Sequence, residues 1–452
     1  MKEIAEEITR DGDDDSAPLA AWVIRCWQRG PRIWPTRLVG PPPGLIPIAF
    51  FCWLLAALLV VPLWMQLKHG VAFDFVYVYG VGQILNHNPA PSIYDYHLQL
   101  KTFNAISALH KGAYGPSPYP PFVALFFSLF ARLPFIEAYL VWMAISLALY
   151  WTGVTITLRD ALPREGAKQA LILCVALAFP AFVLSNLVNG QLASVAVASV
   201  AAAIALERRE RWFAGGLVLS LMCYKPTLLV LVVPMLLLTR RFKMLAGFAT
   251  GGAALAAAAT AICGVRVWPA YVEIVRLIGQ ISRMGGNFEL RRWQFVDFNS
   301  LSYAMRGGRS WAGLAVLGVV LTASLVWLVR LLWQSAAAGA RPEKDLVWAL
   351  TLTWTLLVNV YVPIYDTSLL AVGVVLTLGA MRALEWKRAA EWFGALGLGI
   401  FGVGWVTEAV ARRFGLQPLT LAIALLGVAQ NLALRNALRS SAAKRDAALP
   451  AA

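Results

Sequence analysis

Short clusters of arginine and lysine recur along this chain, and between them lie apolar runs about as long as a bilayer is thick. A helix needs roughly 20 apolar residues to cross about 30 Å of hydrocarbon. Runs near 45–66, 119–134, 136–158, 169–188, 190–206, 212–224, 226–239, 244–263, 312–333, 346–362, 367–381, 392–410 and 416–434 meet or approach that length. Only 14% of residues are charged and mean hydropathy is +0.66, which no water-soluble domain sustains over such a length. The pattern predicts an all-α, polytopic integral membrane protein with about twelve (eleven to thirteen) transmembrane helices.

Arg159/Arg164/Lys168, Arg208/Arg209/Arg211, Arg240/Arg241/Lys243, Arg341/Lys344, Arg382/Lys387/Arg388 and the tail Arg435/Arg439/Lys445/Arg446 all favour the cytoplasm. Twelve crossings with both ends inside satisfy them if 119–158 crosses a net single time. The turn at Arg132-Leu133-Pro134 is then a break or a re-entrant bend at membrane depth. Arg412-Arg413 is the exception, left outside. Residues 1–40 read as a disordered, basic cytoplasmic tail, 41–436 as the transmembrane domain, and 437–452 as a second cytoplasmic tail. The N-terminus is acidic and polar, unlike a cleavable signal peptide.

The net charge of +15 is therefore topogenic, and nucleic acid is not an expected partner. Cys26, Cys52, Cys174, Cys223 and Cys263 form no CxxC pair, and the four histidines have no metal-ligand spacing. No phosphate-binding loop or dinucleotide fingerprint is present, so any energy must arrive with the substrate. No cofactor is expected.

This topology gathers the unusual polar residues on one face. They occupy a long first outer loop (67–118), the turns Asn189-Gly190-Gln191 and Tyr224-Lys225-Pro226, a second long outer loop (264–311) and the turn Pro363–Asp366. Within the first loop, 74–87 and 94–106 are spaced as amphipathic helices lying in the interface. Asp74 opens the first of them, either as an N-cap or as a general base for an acceptor hydroxyl.

The ordered set Asp74-Phe75 with Tyr77 and Tyr79, Ile93-Tyr94-Asp95, Tyr119-Pro120-Pro121-Phe122, Asn189-Gly190-Gln191, Lys225-Pro226 and Tyr365-Asp366 resembles glycosyltransferase family 87. That family belongs to the GT-C superfamily. The resemblance runs over roughly residues 45–385. It implies a GT-C-like fold and an active site on the non-cytoplasmic face of the inner or plasma membrane. It also implies a catalytic carboxylate at Asp74 and a polyprenyl-phosphate sugar donor, with mannose typical and arabinofuranose used by some relatives.

Lys225 is then either a snorkelling lysine at a helix end or a cation for the donor phosphate. Arg291 and Arg292 could hold that phosphate or touch lipid headgroups, and Trp293 could stack on a sugar. Tyr77, Asn189 and Gln191 are candidate substrate contacts, although Asn-Gly also suits a plain turn. Tyr365 and Asp366 either serve the acceptor or cap the following span. Lys111 and Tyr114 are further candidates. No D-x-D pair occurs outside, so a metal-independent, inverting displacement onto a lipid or glycan acceptor is expected, with membrane lipids as the surroundings. The rival reading is a transporter or flippase for a lipid-linked sugar. It fits less well, because transport pathways need ionisable groups deep in their spans.

Overall fold

The computed structural model describes residues 74–106, 116–163, 166–284, 292–305, 311–336 and 339–447, together with Leu54 and Ala57. The expected first span at 45–66, Lys111, Tyr114 and Arg291 therefore lie outside the described residues, as does the side chain of Arg292.

The described chain is built from helices. In order come α1 (Phe75–His87), a 3-10 turn (Ala90–Tyr94), α2 (Tyr96–Ile106), α3 (Pro121–Phe130), α4 (Phe135–Ala161), α5 (Gly166–Leu177) and a π-helical segment (Ala181–Val188). Then follow α6 (Ala193–Arg208), α7 (Trp212–Leu219), two 3-10 turns (Ser220–Tyr224 and Pro226–Leu229), α8 (Val232–Leu238), α9 (Phe242–Cys263) and α10 (Val267–Met284). The last third holds a 3-10 turn (Arg292–Gln294), α11 (Phe298–Met305), α12 (Trp311–Ser335), α13 (Arg341–Leu357), a 3-10 turn (Ile364–Leu369), α14 (Leu370–Ala383), α15 (Lys387–Phe414) and α16 (Pro418–Ala447).

Among the described residues six helices are long and apolar enough to cross a membrane, or seven if the bent pair Gln169–Leu177 and Ala181–Val188 is one span. Other apolar runs among the described residues fold as shorter pieces, among them Pro121–Phe130, Trp212–Tyr224 and Pro226–Leu238. Proline placement is the reason: Pro120-Pro121 opens α3, and Pro226 lacks the N–H that would let the preceding turns continue as one helix. A turn at 131–134 separates α3 from α4, which is long and apolar enough to cross a membrane.

Burial sorts these helices into two groups. On α12 and α9 most of the apolar surface faces outward, as Val316, Val319 and Ile262 do. That is the arrangement lipid permits, because their backbone groups are bonded within the helix. By contrast α13 is buried almost along its length. It packs against α14 and α16, and several of its polar side chains find internal partners. Trp354 Nε1 donates to Asn431 Oδ1 (3.1 Å), and Thr353 Oγ1 donates to the Ala349 carbonyl (3.0 Å). Where α7 crosses α9, a Cβ on Gly216 would fall 1.9 Å from the Met244 carbonyl oxygen, so glycine is what lets those backbones meet.

The two long loops do more than connect. α1, the 3-10 turn 90–94, α2 and α10 share a small core of Val76, Ile84, Ile93, Phe103, Val267 and Ile274, capping one end of the bundle. The expected helices at 74–87 and 94–106 are present, but α1 is less one-sided than an amphipathic helix. It is buried on nearly all sides, with Gly82 pressed onto the backbone of Phe127 and Ser128. Tyr79 Oη donates to the Leu133 carbonyl (2.8 Å) and Asn86 Nδ2 to that of Ser128 (2.9 Å). The loop expected at 264–311 also contains α10, whose apolar face closes this second core.

Candidate functional site

The turn between the π-helical segment and α6 organises the site. Asn186 Oδ1 accepts the Ala193 N–H (2.9 Å), while its Nδ2 donates to Ser194 Oγ (2.7 Å) and Ser146 Oγ (3.3 Å). Tyr139 Oη donates to the Val188 carbonyl (2.7 Å), and Trp142 Nε1 donates to that of Gly190 (3.0 Å). Gly190 has φ +69°, and a Cβ there would sit 2.6 Å from Cβ of Phe75. Both facts require glycine. The Phe75 N–H donates to the Asn189 carbonyl (2.8 Å), which fixes the first turn of α1 to this corner.

Asp74 stands at that junction. It begins α1 without a side-chain cap hydrogen bond, so capping does not account for its carboxylate. Gln191 Nε2 instead donates to Asp74 Oδ2 at 2.6 Å. Tyr119 Oη in turn donates to Gln191 Oε1 at 3.2 Å. An amide that accepts from a tyrosine and donates to a carboxylate has its orientation set at both ends. Gln191, expected as a substrate contact, thus holds Asp74 in place. The Asn189 side chain turns back to donate to the Ser185 carbonyl (3.3 Å), and only its main-chain oxygen serves the site.

Lys225 reaches the same place from another element. It precedes Pro226, which favours extended backbone, and its φ/ψ of −138°/83° interrupts two 3-10 turns. The break lets the side chain leave the helix direction. Its Nζ donates to Asp366 Oδ2 at 2.5 Å and to Tyr365 Oη at 3.5 Å, and lies 4.6 Å from the Tyr365 ring centroid. Snorkelling is excluded for this lysine, which is 9% exposed and directed inward. Asp366 does not cap the following helix either. It is fully buried, and its second oxygen, Oδ1, has no hydrogen-bond partner.

Three elements bring the two halves together. The π-helical segment 181–188 and α6 both pack on the 3-10 turn Ile364–Leu369. Asn359 Nδ2 also donates to the Thr227 carbonyl (2.8 Å), tying the approach to Asp366 onto the Lys225-Pro226 break. Tyr119 and Tyr365 each lie within electrostatic reach of both Asp74 and Asp366. The cluster is therefore Asp74, Gln191, Tyr119, Lys225, Tyr365 and Asp366, with the buried, unpartnered hydroxyl of Tyr224 beside Asp366.

Other candidates fall elsewhere. Tyr77 sets its ring edge-on to Phe103 of α2, 5.2 Å between centroids, in the capping layer. Trp293 lies under the Arg412 guanidinium (5.5 Å), and its carbonyl accepts from Gln417 Nε2 (2.7 Å). Arg412, the exception in the charge pattern, thus sits against the second long loop. Among the described residues no group of three or more His, Cys, Asp or Glu side chains could hold a metal ion.

Asp297, which the sequence did not single out, latches that loop to the site. Its Oδ1 accepts the Ser300 N–H (2.8 Å), and Oδ2 accepts Ser300 Oγ (3.0 Å) and the Val362 N–H (3.1 Å). The Val296 N–H donates to the Val362 carbonyl (2.9 Å), completing a short bridge just ahead of Tyr365 and Asp366. Burial pushes the Asp297 carboxyl above its ordinary value, although these hydrogen bonds pull it back down. The Asp-Phe-Asn-Ser string, a carboxylate three residues before a serine, was the available signal.

Charged residues expected only to set topology also pair within the protein at the opposite end. Buried Glu207 accepts from Arg241 Nε (2.9 Å) and from Trp348 Nε1 (2.6 Å), and Arg208 pairs with Asp345 (2.6 Å).

No curated protein and no solved structure matches this chain. The model of glycosyltransferase family 87 matches residues 118–359, more than half of it. The match includes Tyr119, Asn189-Gly190-Gln191 and Lys225-Pro226, while Asp74 and Tyr365-Asp366 flank it in sequence and join it in space. The chain is a helical membrane protein that belongs to glycosyltransferase family 87.

Proposed function

We propose that this glycosyltransferase takes its sugar from a polyprenyl-phosphate carrier and passes it to a lipid or glycan acceptor. Mannose is the first candidate sugar and arabinofuranose the second. The site faces the non-cytoplasmic side of the inner or plasma membrane, in a GT-C-like body of twelve crossings. The observation that carries the reading is one cluster holding a positioned carboxylate, Asp74, and a buried cation, Lys225.

Asp74 accepts the proton of the acceptor hydroxyl as that oxygen bonds to the anomeric carbon. The bond from the anomeric carbon to the phosphate oxygen breaks, and its electron pair leaves with the polyprenyl phosphate. A single displacement of this kind inverts the anomeric centre. Two of the three ammonium protons of Lys225 serve Asp366 and Tyr365, which leaves one for a phosphate oxygen. Charge that grows on the leaving group is best met by a preorganised cation in a water-poor setting. Arg291 and Arg292, on the loop latched by Asp297, are further candidates for the phosphate.

The test is release of polyprenyl phosphate from a short-chain polyprenyl-phosphate mannose by purified protein in lipid, with a membrane-lipid extract as acceptor. Release by the native protein and loss in folded Asp74→Asn supports both the reaction and the base. Equal release by the two proteins removes Asp74 from the mechanism. Translocation of the intact donor without release would favour the transport reading instead.

A further inference from the structure

Arg240, Arg241, Lys243 and Lys344 line one cavity of about 530 Å³, and no carboxylate lines it. Lys344 lies near the start of α13 and Asp366 just beyond its end, so this cavity and the candidate site are about 20 Å or more apart. The four cations come from three places in the chain. Arg240 and Arg241 occupy the α8–α9 turn, Lys243 the first turn of α9, and Lys344 the first turn of α13.

Arg241 is already engaged by Glu207 and by Thr239 Oγ1 (2.7 Å). Arg240, Lys243 and Lys344 are not: among the described residues no carboxylate lies within ion-pair distance of them. The Lys344 ammonium sits over the Trp212 ring, 5.7 Å from its centroid. Arg240 is held at φ 57°, and the turn is closed by the Arg241 N–H donating to the Leu236 carbonyl (2.8 Å). Arg240 and Lys243 are exposed and Lys344 is half-buried, and all three line the same hollow.

A second cavity at this end provides the contrast. Its cations Arg159, Arg341 and Arg382 share it with Asp160 and Asp345, so it is largely neutralised from within. Phe242, which lines the first cavity, is 59% exposed, and the exposed Phe213, Leu237 and Trp333 lie within two residues in sequence of the lining residues Trp212, Thr239 and Ser335. A basic pocket between helices, edged by apolar surface, matches a molecule with an anionic phosphate head and hydrocarbon tails.

We propose that this cavity binds the phosphate headgroup of an anionic phospholipid from the leaflet on that side, with the acyl chains over Phe213, Leu237 and Trp333. The site is separate from the transfer reaction, and its occupancy is read without any glycosyl transfer.

The test uses the intact protein in phosphatidylcholine nanodiscs carrying increasing phosphatidylglycerol, with bound lipid counted by native mass spectrometry. Phosphatidylglycerol should be retained in preference to phosphatidylcholine. The triple variant Arg240→Gln/Lys243→Gln/Lys344→Gln should weaken that retention by on the order of 100-fold, from the contribution of each basic residue near a membrane. The matched triple Arg159→Gln/Arg382→Gln/Lys387→Gln, which removes equal charge elsewhere at that end, should keep it. No preference in the native protein, or equal loss in both triples, would overturn the proposal. Displacement of the lipid by inorganic phosphate at similar concentration would assign the cavity to a soluble anion and overturn the lipid assignment.

Discussion

Lys225 and Asp366 are 141 residues apart in sequence and 2.5 Å apart in space, and they form a buried ion pair whose carboxylate keeps one oxygen unpartnered. Removing one member leaves an uncompensated charge, which costs about 3–5 kcal/mol, whereas an apolar pair of similar volume is often tolerated. Lys225→Met and Asp366→Leu should each lower the unfolding temperature sharply, and the double variant should recover much of the loss. Activity should stay absent in all three. Thermal unfolding in detergent beside donor release separates the two effects. A double variant that is active would assign the pair to stability alone.

Asp74 is half-buried and its carboxylate is occupied by Gln191, not by the helix start. Asp74→Asn should leave the fold intact and reduce turnover by about 10²–10⁴-fold, the usual span for a lost general base. Steady-state release rates at matched protein and lipid provide the comparison.

Gln191 and Tyr119 form a relay that aims that carboxylate. Tyr119→Phe removes the donor that fixes the amide, so turnover should fall by less than in Gln191→Ala. Gln191→Glu should be worse than Gln191→Ala, because it sets a second carboxylate against Asp74. The order of the three rates is the measurement, and a Gln191→Glu protein as active as the native one would remove the relay from the argument.

Gly190→Ala adds a Cβ at φ +69° and 2.6 Å from Phe75 Cβ. The backbone strain alone is worth about 1–3 kcal/mol, and relieving the clash displaces α1 and Asp74 with it. Stability should fall by that amount and activity by more than stability explains, which unfolding curves and release rates together would show.

Asp297→Ala leaves the Val362 and Ser300 amides without their shared acceptor. Unmet buried donors cost about 1–3 kcal/mol each, so the bridge between 295–297 and 362–363 should open. Hydrogen exchange should quicken at Val296 and Val362 while α13 stays protected. Unchanged exchange there would mean that packing, such as Phe295 on Tyr361 (4.6 Å), holds the latch without the carboxylate.

The helical class was legible in the sequence because hydrocarbon admits few solutions. Apolar runs of spanning length, with basic clusters at alternate ends, leave little but a helical bundle. α1, α2 and the bend before α4 followed from the same local rules, since proline position and side-chain periodicity act within a few residues. Periodicity could not say that α1 would be buried on nearly all sides, nor that 267–284 would fold as α10 and share its core, because burial depends on what packs against a helix.

Asp74, Gln191, Lys225 and Asp366 stood out before any folding was considered, through their polarity between apolar runs and their likeness to one family. Their pairing did not. Asp74 could have capped its helix and Lys225 could have reached for water, as the local rules allow. Gln191 and Asp366 lie more than a hundred residues away from them. The Phe75–Asn189 backbone bond seats Asp74 beside Gln191, and the Asn359–Thr227 bond ties the approach to Asp366 onto the Lys225 break. The packing of the 181–188 segment and α6 on the 364–369 turn joins the two pairs. A contact across that separation depends on the whole bundle closing, and no short stretch of sequence encodes it.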